Sequence, residues 1–185
     1  MKNSAKMNAL MAYLMQTKQQ EPEVKSVIFS QWTSMLDLLE IPLRRAGINF
    51  VRLDGNMTRM ARELSLSKFD TDPDVSIFLV SLKCGGLGLN LTAASQVFMM
   101  DPWWNPATED QAIDRVHRIG QTRNVSVYKM VIEGSVEERV IALQNKKREL
   151  MHKAFGMERD VKDVKPETRF NDLNFLLGDL VKGHK

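Results

Sequence analysis

Gln111, Arg115 and Arg118 lie in the segment QAIDRVHRIGQ at spacings i, i+4 and i+7, the interval that aligns side chains along one stripe of a helix. Ala112, Ile113, Val116 and Ile119 form an adjoining apolar face suited to docking on a sheet. Two guanidiniums one turn apart on a docked helix make a rigid clamp for phosphate oxygens, because arginine stays charged and presents a planar fork of donors. The same spacing also describes an amphipathic helix with two solvated arginines, and spacing alone does not separate the two readings.

A second segment, Ser81–Thr92 (SLKCGGLGLNLT), follows an apolar run and carries Gly85, Gly86 and Gly88. Glycines let the backbone approach a partner closely or take up positive φ, and N–H groups at a following helix start would hold an anion. The segment is neither a dinucleotide fingerprint nor a P-loop: the third glycine of the first pattern is missing, and no Gly-Lys-Ser/Thr occurs in the chain. A strand followed by glycines also reads as a simple tight turn.

Both segments need elements to hold them. Helical spacing of Met7, Leu10, Met11 and Leu14 predicts a helix over Ser4–Lys18, ended by Glu21-Pro22. Strands are predicted at Val27–Ser30, Asn49–Leu53, Val75–Val80, Gln96–Met100 and Val125–Ile132. Between the first pair lies a helix from Thr33 to Ala46, with Pro42 expected to kink it or restart it a turn late. Asp54-Gly55 reads as a turn, Thr58 as the cap of a helix to Phe69, and Leu91–Ala94 as a short helical turn. Asn105-Pro106 opens a helix expected to reach Gly120, with Glu109 and Asp110 in its early turns. Ser135-Val136-Glu137-Glu138 reads as a capping box opening a helix to about Ala154.

Strands alternating with helices predict an α/β fold, a central parallel sheet with helices on both faces. The expected organisation is an N-terminal helix over residues 1–22, a lobe over 23–155, and a linker with a C-terminal helical extension over 156–185. In the last segment Phe170, Leu173, Leu176 and Leu177 would face the domain.

Composition narrows the chemistry. The 185 residues carry 26 Lys and Arg against 23 Asp and Glu, a slight excess that neither demands nor excludes nucleic acid. One cysteine, Cys84, rules out an internal disulfide, and with three histidines it builds no Cys/His zinc framework. A reducing compartment is expected. No apolar run approaches the roughly 20 residues that span a bilayer, and residues 1–14 lack a signal-peptide pattern. No membrane partner and no metal ligand set are expected.

Five blocks in order, Val27–Trp32 (VIFSQW), Leu53–Thr58 (LDGNMT), Val80–Ala94 (VSLKCGGLGLNLTAA), Asp101–Pro106 (DPWWNP) and Gln111–Arg123 (QAIDRVHRIGQTR), resemble the second-lobe motifs of Swi/Snf-type ATPases of helicase superfamily two. Within that family they are similar to the subgroup of the helicase-like transcription factor and its fungal repair relatives. The resemblance covers about Ser4 to Phe155. Trp32 stands where the family often has Phe, Asn56 where it often has Ser, and Cys84 where a small Ala is usual.

The resemblance implies a RecA-like three-layer sandwich, the second of two lobes that enclose ATP. The first lobe would bind most of the ATP and Mg2+, and this one would supply arginine fingers and part of a track for double-stranded or nucleosomal DNA. Arg115 and Arg118 would reach the γ-phosphate, with Gln111 helping to orient them. Gly85, Gly86 and Gly88 would shape a loop between DNA and nucleotide, and Asp114 would orient the arginines. Ser30, Gln31, Ser81, Lys83 and Thr92, at strand ends or just beyond, would contact DNA phosphates. Trp104 would pack on the tracked strand or serve as core, while Trp103, His117 and the run Lys146–Arg148 read as packing or surface. The implied partners are DNA, the first lobe of the parent chain and a RING module in that parent, and the implied location is the nucleus. Without a P-loop the chain by itself is expected not to turn over ATP. A stand-alone chromatin- or nucleic-acid-binding module is the alternative, and a dinucleotide-binding enzyme is disfavoured by the missing glycine.

Overall fold

Short runs of β-branched and aromatic residues, each too short for a helix, build the centre of the molecule. In the computed structural model, which describes residues 4–84 and 88–156 (151–156 by backbone alone), they form five strands: β1 (Ser26–Ser30), β2 (Asn49–Leu53), β3 (Val75–Ser81), β4 (Gln96–Met99) and β5 (Ser126–Lys129). The sheet order is β2-β3-β1-β4-β5 and every pairing is parallel. β1 is buried along its whole length, as a strand covered on both faces must be. The register sets Ser30 opposite Ser81 and Phe29 opposite both Val80 and Met99.

The described residues form five α-helices: α1 (Ala5–Gln20), α2 (Thr33–Arg45), α3 (Arg59–Thr71), α4 (Pro106–Ile113) and α5 (Val136–Gly156). Ser4 caps α1 and Thr58 caps α3, each side-chain oxygen accepting an N–H three residues on. Gly47, at φ +62°, turns the chain out of α2, a conformation open to glycine. α2 is one helix through Pro42, so the expected restart does not occur.

α1 and α2 cover one face of the sheet. Met7, Leu10 and Leu14 join Leu36, Leu39 and Leu43 over Ile28, Ile77, Leu79 and Phe98 in one core. On the other face Phe69 of α3 meets Phe78 of β3, ring centroids 5.0 Å apart. The described residues fall into two units. One holds the residues up to Asp101 together with Ala107–Val131, the other Pro102–Pro106 with the chain from Ile132. α1 therefore belongs to the same unit as the sheet rather than standing before it. The expected helix over Phe170–Leu180 lies outside the described residues.

In the second unit, Ser135 Oγ accepts the Glu137 N–H at 3.2 Å, and the Glu137 carboxylate accepts the Ile132 N–H at 2.9 Å. The Glu137 carboxylate thus reaches past Ser135 to Ile132, a different pattern from the expected capping box, in which Glu138 would accept the Ser135 N–H.

Candidate nucleotide and nucleic-acid interface

Parallel strands bring all their carboxyl ends to one edge, and the connections leaving the neighbours β1 and β4 run to opposite sides, toward β2 and β5, so that edge is where an open α/β sheet binds ligands. Ser30, Gln31, Ser81 and Lys83 stand there, at the ends of the adjacent strands β1 and β3.

Their side chains have different fates. Ser30 is 1% and Ser81 2% exposed, which corrects the expectation that both hydroxyls face phosphates. The Ser30 hydroxyl donates to the Asp101 carboxylate at 2.5 Å, and the Gln31 N–H donates to the same oxygen at 3.2 Å. Ser30 Oγ also accepts the Trp32 N–H at 3.1 Å. The serine therefore joins the end of β1 to the residue beyond β4, and its proton and one of its lone pairs are already committed. Lys83 is exposed, and Gln31 and Thr92 are half-buried, so these three keep surface access.

Beyond β2 the turn at Asp54-Gly55 is held from both sides. Arg52 donates to Asp54 at 2.8 Å, to Glu40 at 2.9 Å and to Asp37 at 2.5 Å. Burial opposes the Arg52 charge, but bonds to these three carboxylates outweigh it and hold its pKa above the ordinary value. Arg62 donates to the carbonyls of Met57 and Gly55, at 3.1 and 3.2 Å.

The arginine segment departs from the expected helix. α4 ends at Ile113, and the chain continues through tighter turns in which Arg115 N–H bonds Ala112 and Val116 N–H bonds Ile113. Ala112 and Val116 are fully buried as the apolar face required, but Ile119 is fully exposed and does not dock. Gln111, Asp114 and Arg118 are exposed and Arg115 is half-buried. Among the described residues the Arg118 guanidinium has no hydrogen bond or ion pair.

Gly85 and Gly86 lie outside the described residues. Gly88, at φ +65°, is exposed and takes a left-handed conformation that a side chain would strain. Past it, the Leu91 N–H donates to the Arg115 carbonyl at 2.9 Å. Gln121, to which the sequence assigned no role, donates from Nε2 to the carbonyls of Thr92 (3.2 Å), Ala94 (2.7 Å) and Val116 (3.2 Å). Its place at the end of the arginine block was the available signal.

Trp104 belongs to the second unit and is 38% exposed. The Lys147 ammonium lies 4.8 Å from its ring centroid, a cation–π distance, and the buried Gln144 donates to the Trp103 carbonyl. Within this unit α5 fixes the tryptophan loop, so Lys147 is not the plain solvated cation the sequence suggested.

An all-parallel five-stranded sheet with helices on both faces and an outward arginine segment is a RecA-like α/β lobe. Residues 5–120 match the family described as the helicase conserved C-terminal domain, and the chain belongs to that family. It is similar to the ATP-dependent helicase rhp16 of Schizosaccharomyces pombe, 47% identical over 178 residues, covering 96% of this chain and 20% of the relative. The helicase-like transcription factor of Homo sapiens is 46% identical over 177 residues, covering 95% of this chain and 18% of that protein. Among solved structures, the C-terminal part of the Fun30 ATPase domain aligns with a TM-score of 0.77 at 31% identity, over 99% of this chain and 56% of that one. The chain spans about a fifth of the length of these two curated relatives.

Proposed function

We propose that this chain is the second motor lobe of an ATP-dependent translocase on double-stranded DNA, of the Swi/Snf remodelling and repair type, working in the nucleus. Arg115 and Arg118 are its arginine fingers, with Gln111 beside them. The observation that carries the reading is Arg118, an exposed guanidinium without a described partner, on a chain that has no P-loop of its own. A cation held in that way stabilises charge on a phosphoryl group brought by another body. ATP and Mg2+ are held mainly by the first lobe of the parent chain, and this lobe alone does not hydrolyse ATP. Lys83, Thr92 and Gln31 meet the DNA backbone, which positions the lobe without reading sequence, and Trp104 of the second unit is a DNA contact in its own right. Gly85, Gly86 and Gly88 belong to the loop between the DNA contacts and the nucleotide. A RING module in the parent protein is part of the same reading.

The test joins the chain to a first lobe of the same family and measures ATP hydrolysis with and without duplex DNA. DNA-stimulated turnover is expected, and Arg118→Ala should lower it by about 10³-fold, the scale of finger removal in related chemistry. Undiminished turnover in that variant removes the finger assignment. Tight, salt-dependent DNA binding by the isolated chain, with no turnover on joining, would replace the motor reading with that of a binding module.

A further inference from the structure

One side chain touches both halves of the candidate site. Gln121 Nε2 reaches the carbonyl of Thr92, a candidate DNA contact, and the carbonyl of Val116, which lies between the two candidate fingers. Its shortest bond, 2.7 Å, goes to Ala94. A primary amide has two hydrogens, so three carbonyls share them. The amide is oriented from its other end, because the Gln121 carbonyl accepts the Arg123 N–H at 2.9 Å. Of the three, only the Val116 carbonyl lies past the end of α4 at Ile113, where the helix ladder has stopped, and it takes the Arg118 N–H as well as this amide. The Leu91–Arg115 backbone bond runs alongside, so the two segments are tied twice within a few residues.

We infer that Gln121 is a positioning residue that couples DNA contact to the arginine segment. It locks the backbone between Arg115 and Arg118 to the backbone at Thr92–Ala94, so a shift imposed by DNA on one segment moves the other. A side chain that merely closed a loop would hold a single segment. Gln121 holds two that are 22 to 24 residues apart in sequence, Thr92 and Ala94 against Val116. The inference rests on the motor reading above and adds to it a route by which DNA is felt at the nucleotide.

The experiment compares Gln121 with Gln121→Met in the two-lobed protein. Methionine keeps the length and loses the donors. The readout is the ratio of DNA-stimulated to DNA-free turnover, with the DNA concentration for half-stimulation measured beside it. The ratio is expected to fall about tenfold, within the usual span of coupling between two sites, while half-stimulation moves by less than about twofold. A folded Gln121→Met protein with the unsubstituted ratio overturns the inference, even if its thermal midpoint is lower. Should that variant fail to fold, Gln121→Asn retains the amide on a stem one methylene shorter. It is expected to give a reduced ratio, and an unchanged ratio overturns the inference equally. The two failures are distinguishable. An unsubstituted motor that ignores DNA removes the motor reading and the coupling together, whereas a responsive motor indifferent to the substitution removes the coupling alone.

Discussion

The Leu91 backbone N–H donates to the Arg115 backbone carbonyl at 2.9 Å, across 24 residues of chain. In a continued helix that carbonyl would accept from residue 119. Here the helix has already ended, and an amide beyond the glycine loop takes the place. The arginine segment is thus anchored through its backbone, which leaves at least the Arg118 side chain out of the structural work.

The first prediction follows from that division. Arg118→Ala should change the unfolding free energy by no more than about 0.5 kcal/mol, as for a surface substitution away from packing and ion pairs. Urea unfolding of the 185-residue chain measures it. A loss above about 1 kcal/mol would show that the guanidinium supports the fold, and any loss of turnover in Arg118→Ala would then have a structural origin.

Ser30→Ala separates a scaffold serine from a phosphate contact. The Ser30 hydroxyl is buried and donates to a carboxylate, so its removal is expected to cost about 2 kcal/mol. The logarithmic salt slope of DNA binding should stay unchanged, because no phosphate contact is lost. If stability held and the slope fell by about one, the serine would belong to the DNA track after all.

How far the sequence reveals this structure depends on which force fixes each element. Val27–Phe29 and Ile77–Val80 are runs that only a strand buried on both faces accommodates, and Thr58 is a local cap, so their elements fall where composition puts them. The end of α4 was not legible. Ala112, Val116 and Ile119 keep helical rhythm past Ile113, and the competing donors, Leu91 N–H and the Gln121 amide, arrive from or act upon segments distant in sequence. Ser30 and Ser81 sit at the edge that topology predicts. Whether such a hydroxyl faces solvent depends on the residue packed over it, and for Ser30 that residue is Asp101, 71 positions away.

α1 offers a test of unit boundaries. Leu10 is fully buried in the core shared with α2 and the sheet. Leu10→Ala is expected to destabilise the sheet unit by about 3 kcal/mol, the range for a buried leucine whose cavity collapses only in part. A thermal midpoint unmoved by the substitution would show that α1 does not dock in solution.

Cys84 carries a pH signature. Burial raises its thiol pKa above the ordinary 9.0, with Arg62 lowering it and Asp54 raising it in turn. An acid whose folded pKa is raised keeps its proton in the native state after the unfolded chain has lost it. Stability is therefore full below pH 9 and falls as pH rises from the unfolded value toward the folded one. The urea midpoint of the natural chain should fall relative to that of Cys84→Ala as pH rises from about 8 to about 10. A difference constant across the window would show an unshifted thiol. Alkylation at pH 8 should also be slow until the chain unfolds, since the thiolate is the reactive form.

Glu109 and Lys129 give the sharpest electrostatic case in the lobe. The Glu109 carboxylate is completely buried and the Lys129 ammonium lies 2.5 Å from it, joining α4 to β5. Withdrawing the ammonium removes a charged partner from a buried carboxylate, a loss of about 3 kcal/mol. Lys129→Met is expected to cost that amount. The double variant Lys129→Met with Glu109→Gln should recover part of it, because a neutral amide is less costly to bury than a carboxylate that has lost its ammonium. A double-variant cycle on urea unfolding measures the coupling. Additive losses, with no recovery in the double variant, would mean that the pair contributes nothing as a pair, and that α4 is held in place by packing such as the burial of Ala112 instead.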